Sequence, residues 1–179
     1  MRAWDEGTFN DHLGNKTEWG IMMGQSLSGK SLVGKIVTDM KGGKIIDMMA
    51  ISEAIRPRLE NEGEPFEGRI PDAEVEKDVL ALIEADKTAG EKCFYLIDGQ
   101  HHETIEAAAT FFASNLGTPS CIITCTADIK EIEQRYKDKN EIAEDLGEED
   151  AQALKDKAAA AAEDGQKLVA CWSDIIARV

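Results

Sequence analysis

Cationic side chains are scarce in this 179-residue chain: 20 lysines and arginines stand against 35 acidic residues, for a net charge of −15. That balance disfavours nucleic acid and anionic membrane surfaces as partners, since both need positive charge. Arginine is scarcer still, with Arg2, Arg56, Arg58, Arg69, Arg135 and Arg178 making up the whole complement. No apolar run approaches the roughly 20 residues of a membrane span. The first residues, Met1 to Glu6, lack the apolar core of a secretory signal. Cys93, Cys121, Cys125 and Cys171 show neither CxxC spacing nor nearby histidines. They read as buried free thiols, in keeping with a reducing, intracellular setting. His12 stands alone in a polar stretch and reads as a surface residue. Adjacent His101 and His102 point apart in a strand-like segment, which argues against a two-histidine metal site.

What is present is a globular composition, 42% hydrophobic, at a length suited to one domain. The most informative stretch is Gly24-Gln25-Ser26-Leu27-Ser28-Gly29-Lys30-Ser31. It fits G-x-x-x-x-G-K-[ST], the loop whose backbone N–H groups wrap nucleotide phosphates. Gly24 and Gly29 permit backbone conformations closed to other residues. Lys30 is spaced to reach the β- and γ-phosphates, and Ser31 to hold Mg²⁺. An apolar run, Trp19 to Met23, precedes the loop, and Ser31 to Val37 can open a helix whose N-terminus favours anions. Strand, loop and helix together are the context the motif requires. A nucleoside triphosphate with Mg²⁺ is the expected ligand, held by Gly24, Ser28, Gly29, Lys30, Ser31 and Leu32.

The rest of the chain alternates. Residues 1–17 read as an extension, and Lys41 to Lys44 closes the first helix. An apolar stretch from Ile45 to Ile51 passes into a helix reaching Leu59, with Met40, Met48 and Met49 as core filler. Residues 60–69 form a loop. Pro71 and Asp72 open a helix whose buried stripe is Val75, Val79, Leu80, Leu82 and Ile83. Cys93 to Gly99 is an apolar strand ending on Asp98, a position suited to a carboxylate near Mg²⁺, or to an ordinary turn cap. A helix follows from about Glu103 to Asn115, then a fully buried strand over residues 120–126. Helices are expected over 128–139, over the Ala-rich run 151–162, and over 168–179. Alternation of this kind argues for a three-layer α/β fold with a parallel sheet.

In the order of its parts, residues 18–179 resemble the adenylate kinases and other nucleoside monophosphate kinases. The resemblance rests on the P-loop, on Ile46-Asp47-Met48-Met49 (similar to G-D-x-L), on Gly68 to Asp72 (similar to G-x-L-V-P-D), and on Tyr95 to Gly99 (similar to the strand and D-G of D-G-F-P-R). It implies a monophosphate-binding flap at about 44–70 and a short lid at about 140–150. It also implies transfer of the terminal phosphoryl of ATP to a monophosphate, by positioning and charge neutralisation. Lys30, Arg135 and Lys139 would be catalytic. Ser31 and Asp98 would serve the metal, and Asp47, His102 and Glu106 would fall in the acceptor site.

The departures lie on the acceptor side. Ala50 and His102 occupy the positions of two family arginines, Glu106 that of a glutamine that reads adenine, and Lys139 that of a lid arginine. Lysine does not reproduce arginine's bidentate fork, and alanine has no charge at all. One transition-state arginine can be worth about 10³–10⁵ in rate. Three functions are thus open: a nucleotide-binding domain with weak or lost transfer, an active monophosphate kinase, and an interaction module that binds no nucleotide. The family's last strand has no counterpart in this sequence. The resemblance therefore carries the further expectation of a domain within something longer, with protein partners, in the cytoplasm or a ciliary axoneme.

Overall fold

The computed structural model describes residues 17–60, 66–90, 93–99, 101–142 and 145–177. All but Thr17 of the expected N-terminal extension lies outside this set, as do parts of the expected flap and lid. Four parallel strands form one sheet: β1 (Trp19–Gly24), β2 (Gly43–Asp47), β3 (Phe94–Asp98) and β4 (Cys121–Cys125), in the order β2-β3-β1-β4. β1 and β3 hold the centre, and their uninterrupted apolar runs are what burial on both faces requires.

Alternation within these strands divides the interior. Met22, Phe94 and Leu96 face one way and pack against Val33 and Val37 of α1 (Lys30–Lys41). Trp19, Ile21, Met23, Tyr95 and Ile97 face the other way. There they meet Val75, Val79 and Ile83 of α3 (Asp72–Thr88), Phe112 of α4 (Ile105–Leu116), and Leu168 and Trp172 of α6 (Glu148–Ala177). Trp19 lies 5.4 Å from both Phe112 and Trp172 by ring centroids, an aromatic cluster at the heart of the larger layer. α2 (Met48–Ile55), a 3-10 turn (Arg56–Arg58) and α5 (Ile129–Lys139) complete the fold. Helices thus cover both faces of a parallel sheet, the three-layer α/β fold expected.

Several local expectations change. β2 takes Gly43 and Lys44 from the expected helix close and Ile45 to Asp47 from the apolar stretch, and pairs with β3 from Gly43↔Phe94 to Asp47↔Asp98. The expected flap therefore starts in the sheet and leaves it only at Met48. Met48 is buried, but Met40 and Met49 are 82% and 59% exposed, because they fall on the outer faces of their helices. Leu82 is likewise half exposed, outside the Val75–Val79–Ile83 stripe. β4 is only partly buried, since it pairs with β1 alone among the described strands. The two helices expected beyond residue 150 are one, α6, spanning 30 residues from Glu148. It also takes the last residues of the expected lid. Gly165 leaves α6 unbroken because the helix crosses the sheet there: a Cβ would stand 3.2 Å from the Thr124 methyl.

Candidate nucleotide-binding site

β1 delivers the chain to the C-terminal end of the sheet at Gly24, where φ is +145°. A Cβ on Gly24 would sit 2.2 Å from the Cys125 carbonyl oxygen, so the residue must be glycine for two reasons, conformation and contact. The loop then turns through Leu27, at φ 69°, and Gly29, at φ 95°, into the first turn of α1. Its shape is held internally. The Ser28 hydroxyl and N–H both donate to the Gln25 carbonyl, at 2.7 and 3.2 Å. Gln25 is buried and donates from Nε2 to the Leu154 carbonyl of α6 at 3.1 Å. The loop is therefore anchored to a helix more than a hundred residues away in sequence, a contact with no sequence signal.

Two cations lie on this loop. The Lys30 ammonium donates to the Gly24 and Gln25 carbonyls at 2.8 and 3.0 Å. Arg135 reaches from α5 to donate to the Leu27 carbonyl at 2.7 Å, with Glu131 at 3.6 Å on its other side. Ser31 and Leu32 open α1 and are exposed. Lys139, a turn beyond Arg135, is exposed at the end of α5. β3 ends on Asp98, level with Met22 on β1 and Asp47 on β2. Burial pushes the Asp98 carboxyl above its ordinary value, the Lys30 ammonium pulls it back, and the Asp47 charge pushes it up again. Lys30, Asp98 and Asp47 thus share one field at the strand ends. This is the edge, beside the central strand where the strand order reverses, at which open α/β sheets bind ligands.

The acceptor side is built differently. Asp47 caps α2, with its Oδ1 accepting from the Met49 and Ala50 N–H groups at 2.9 and 3.0 Å. Ala50 supplies no charge. Arg56 donates to the Phe66 and Gly68 carbonyls and to Glu53, Arg58 pairs with Asp78, and Arg69 holds Asp72 and the His101 carbonyl. The His101 ring is anchored as well: its Nε2 donates to the Ile70 carbonyl at 2.8 Å and its Nδ1 lies 2.8 Å from the Ser52 hydroxyl.

Two expected acceptor residues lie elsewhere. The His102 side chain is 2% exposed, with Nε2 3.0 Å from Glu76 and its ring against Phe111 and Phe112. Its place is the packing between α3 and α4. Glu106 is exposed on the first turn of α4, where its charge acts on Lys167 and Cys171 of α6. Sequence alignment by motif put both beside the acceptor; the turn after β3 sends them to the α3/α4/α6 layer instead.

A cavity of about 570 Å³ lies next to the P-loop, between the ends of β1 and β4 and the middle of α6. Its lining carries no charged side chain and includes Gly24, Gln25, Thr126, Ala127, Ala158 and Gly165. The alanine run of α6, legible in sequence only as good helix propensity, forms one wall of it.

A parallel sheet of order β2-β3-β1-β4, with a glycine loop from the end of β1 into α1, decides the fold class. The fold is a three-layer α/β fold around a four-stranded parallel sheet. No family model matches the sequence, and no curated protein matches it. Among solved structures, the chain is similar to one in the Pnkp1/Rnl/Hen1 RNA repair complex, at 10% identity and a TM-score of 0.51. That match covers 88% of this chain and 48% of the other, so the chain spans about half the length of that relative. A shikimate kinase from Acinetobacter baumannii, in complex with shikimate, matches at 18% identity and a TM-score of 0.46, over 85% of this chain and 80% of its own. A sugar kinase from Janibacter sp. HTCC2649 matches at 14% identity and a TM-score of 0.42, over 85% and 98%. At such identities the likeness is one of fold.

The residues present fit a nucleotide with its metal. Gly24 and Gly29 supply the positive-φ positions that let the loop turn into α1. Lys30 offers an ammonium now bonded to carbonyls, and Ser31 and Asp98 offer oxygen donors of the kind Mg²⁺ takes. Among the described residues, no group of three or more His, Cys, Asp or Glu side chains forms a metal cluster. Mg²⁺ would therefore depend on nucleotide phosphates for most of its ligands, as it commonly does. No helix among these residues is long and apolar enough to cross a membrane.

Proposed function

We propose that this chain is an adenylate-kinase-like nucleotide-binding domain that holds ATP with Mg²⁺ and has weak or lost phosphoryl transfer to nucleoside monophosphates. One observation carries the reading: Lys30 and Asp98 share a field beside the P-loop, with Ser31 next in the chain, while Arg56, Arg58 and Arg69 on the acceptor side each already hold a carboxylate. Lys30 and the loop N–H groups would cradle the phosphates, Arg135 would add charge from α5, and Ser31 and Asp98 would hold the metal and its waters. The uncharged cavity beside Gly24 is of a size and polarity suited to a nucleoside base. A monophosphate, by contrast, needs cations that Ala50 and the buried His102 do not provide. The family resemblance further supports a place in a larger assembly, such as a ciliary axoneme, with Arg135 and Lys139 at the foot of a short lid.

Calorimetry with ATP·Mg²⁺, paired with a coupled assay for ADP formation in the presence of AMP, tests this. The expected result is ATP binding that Lys30→Ala weakens, with turnover below about 1 s⁻¹, the bottom of the ordinary kinase range. Turnover within that range, abolished by Lys30→Ala, would overturn the claim of weak transfer. No ATP binding at all would leave an interaction module.

A further inference from the structure

We propose that the acceptor side of this P-loop serves an uncharged or cationic hydroxyl compound, a small alcohol or amino alcohol, in place of the phosphate of a monophosphate. This rests on the donor-site reading above. The argument is one of charge. Where β2 and β3 end, the carboxylates of Asp47 and Asp98 stand side by side in register, with Asp98 in the field of Lys30. The three arginines of the neighbouring segment are committed to Glu53, Asp78 and Asp72 and to backbone carbonyls. Ala50, at the first turn of α2, adds nothing. A phosphate monoester would bring about two negative charges to two carboxylates with no guanidinium to offset them. A hydroxyl group brings none, and a carboxylate is the group that orients it and takes its proton.

The reaction balances without any further reagent. The hydroxyl oxygen forms a bond to the γ-phosphorus of ATP as the bond to the bridging oxygen breaks. The electron pair of that bond leaves on ADP. The hydroxyl proton passes to the Asp47 carboxylate and from there to water. Asp47 holds its helix cap through Oδ1 and is exposed. Asp98 would serve the metal and take no proton from the hydroxyl.

The test uses ATP labelled in the γ-phosphoryl group with Mg²⁺, and two panels: glycerol, myo-inositol, D-glucose, choline and ethanolamine against AMP, GMP, CMP and UMP. Label is expected on at least one member of the first panel and on none of the second. Asp47→Asn keeps the cap, because asparagine caps as well as aspartate. It should leave ATP affinity unchanged while lowering transfer by about 100-fold or more. A readout free of turnover comes from AMP titrated into the ADP-loaded protein. The double variant Asp47→Asn, Ala50→Arg should bind AMP at least about tenfold more tightly than the parent, the effect of one charge-assisted pair. Label on a monophosphate, label on no compound in either panel, unchanged transfer in Asp47→Asn, or equal AMP binding by parent and double variant would each overturn the proposal. ATP that binds but is transferred nowhere brings down this proposal alone. ATP that does not bind brings down the donor-site reading with it.

Discussion

At the end of β1 the Lys30 ammonium rests on backbone carbonyls, whereas Arg56, Arg58 and Arg69, beyond β2, are each fixed to a carboxylate. The difference decides what each region can do. Lys30 can exchange two neutral oxygens for phosphate oxygens and gain from it, because a hydrogen bond between opposite charges is about twice as strong as one to a neutral group. Arg58 and Arg69 each already hold a carboxylate, so their charge is matched before any anion arrives. One half of the C-terminal edge is thus arranged to receive an anion, and the other to hold its own segment together.

The sharpest way to break the comparison is to destroy the donor half by shape. Gly24→Ala forces a side chain into a φ of +145° and against the Cys125 carbonyl. Strain and overpacking together should cost about 2–5 kcal/mol in urea unfolding. Binding of ATP should vanish even where the variant stays folded. A variant of parental stability with intact binding would show that the loop does not need this geometry.

Lys30→Ala tests the same half by charge. Loss of a charge-assisted contact should weaken ATP binding by about 1.5–3 kcal/mol, roughly 10- to 150-fold. Unfolding stability should fall by about 1 kcal/mol, since the ammonium holds two loop carbonyls and offsets the Asp98 charge.

Arg69→Ala tests the other half. The pair with Asp72 is largely exposed, so its removal should cost about 1 kcal/mol or less. Calorimetry should find ATP affinity unchanged. A tenfold loss of ATP affinity would mean that the two halves are coupled, and the distinction drawn between them would collapse.

The same division explains how much could be read from sequence. The region at the end of β1 is local: Gly24 to Ser31 is one contiguous loop, and the strand and helix beside it are set by periodicity, so its place between β1 and α1 was legible. The position of Asp98 at the end of β3 was legible because an apolar strand ending on a carboxylate is also a local pattern. The acceptor half depends on where a turn sends the chain. His102 and Glu106 follow Asp98 by four and eight residues, yet both leave the strand end for the helical layer. No spacing rule marks that departure. The commitment of Arg56, Arg58 and Arg69 was equally hidden, because each is paired with groups 3 to 32 residues away that only the folded chain assembles. The contact of Gln25 with Leu154 and the cavity wall on α6 are long-range in the same sense. Exposure of Met40, Met49 and Leu82 was missed for a simpler reason: hydrophobic identity indicates an inner face only when the helix phase is known.

The smallest effect separates the two halves by pH. Burial is the main reason the Asp98 carboxyl titrates above its ordinary value of 3.8, with Lys30 opposing and Asp47 reinforcing. A raised carboxyl binds its proton more firmly in the folded chain than in the unfolded one. Its contribution to stability is therefore fully present below the unfolded value and is lost as pH rises through the folded one. At neutral pH the charged carboxylate is a burden to the nucleotide-free protein. Asp98→Asn should remove that burden, giving a slightly higher Tm than the parent at pH 7, with the advantage shrinking as pH falls toward 4. In the presence of Mg²⁺ and ATP the order should reverse, because the parent alone keeps the charge that the metal's waters require. Asp47→Asn keeps the α2 cap and should leave the Tm at pH 7 close to that of the parent. If Asp98→Asn lowers Tm at pH 7 without nucleotide, the carboxylate is part of the fold's own support, and the donor half is less open to exchange than its carbonyl contacts imply.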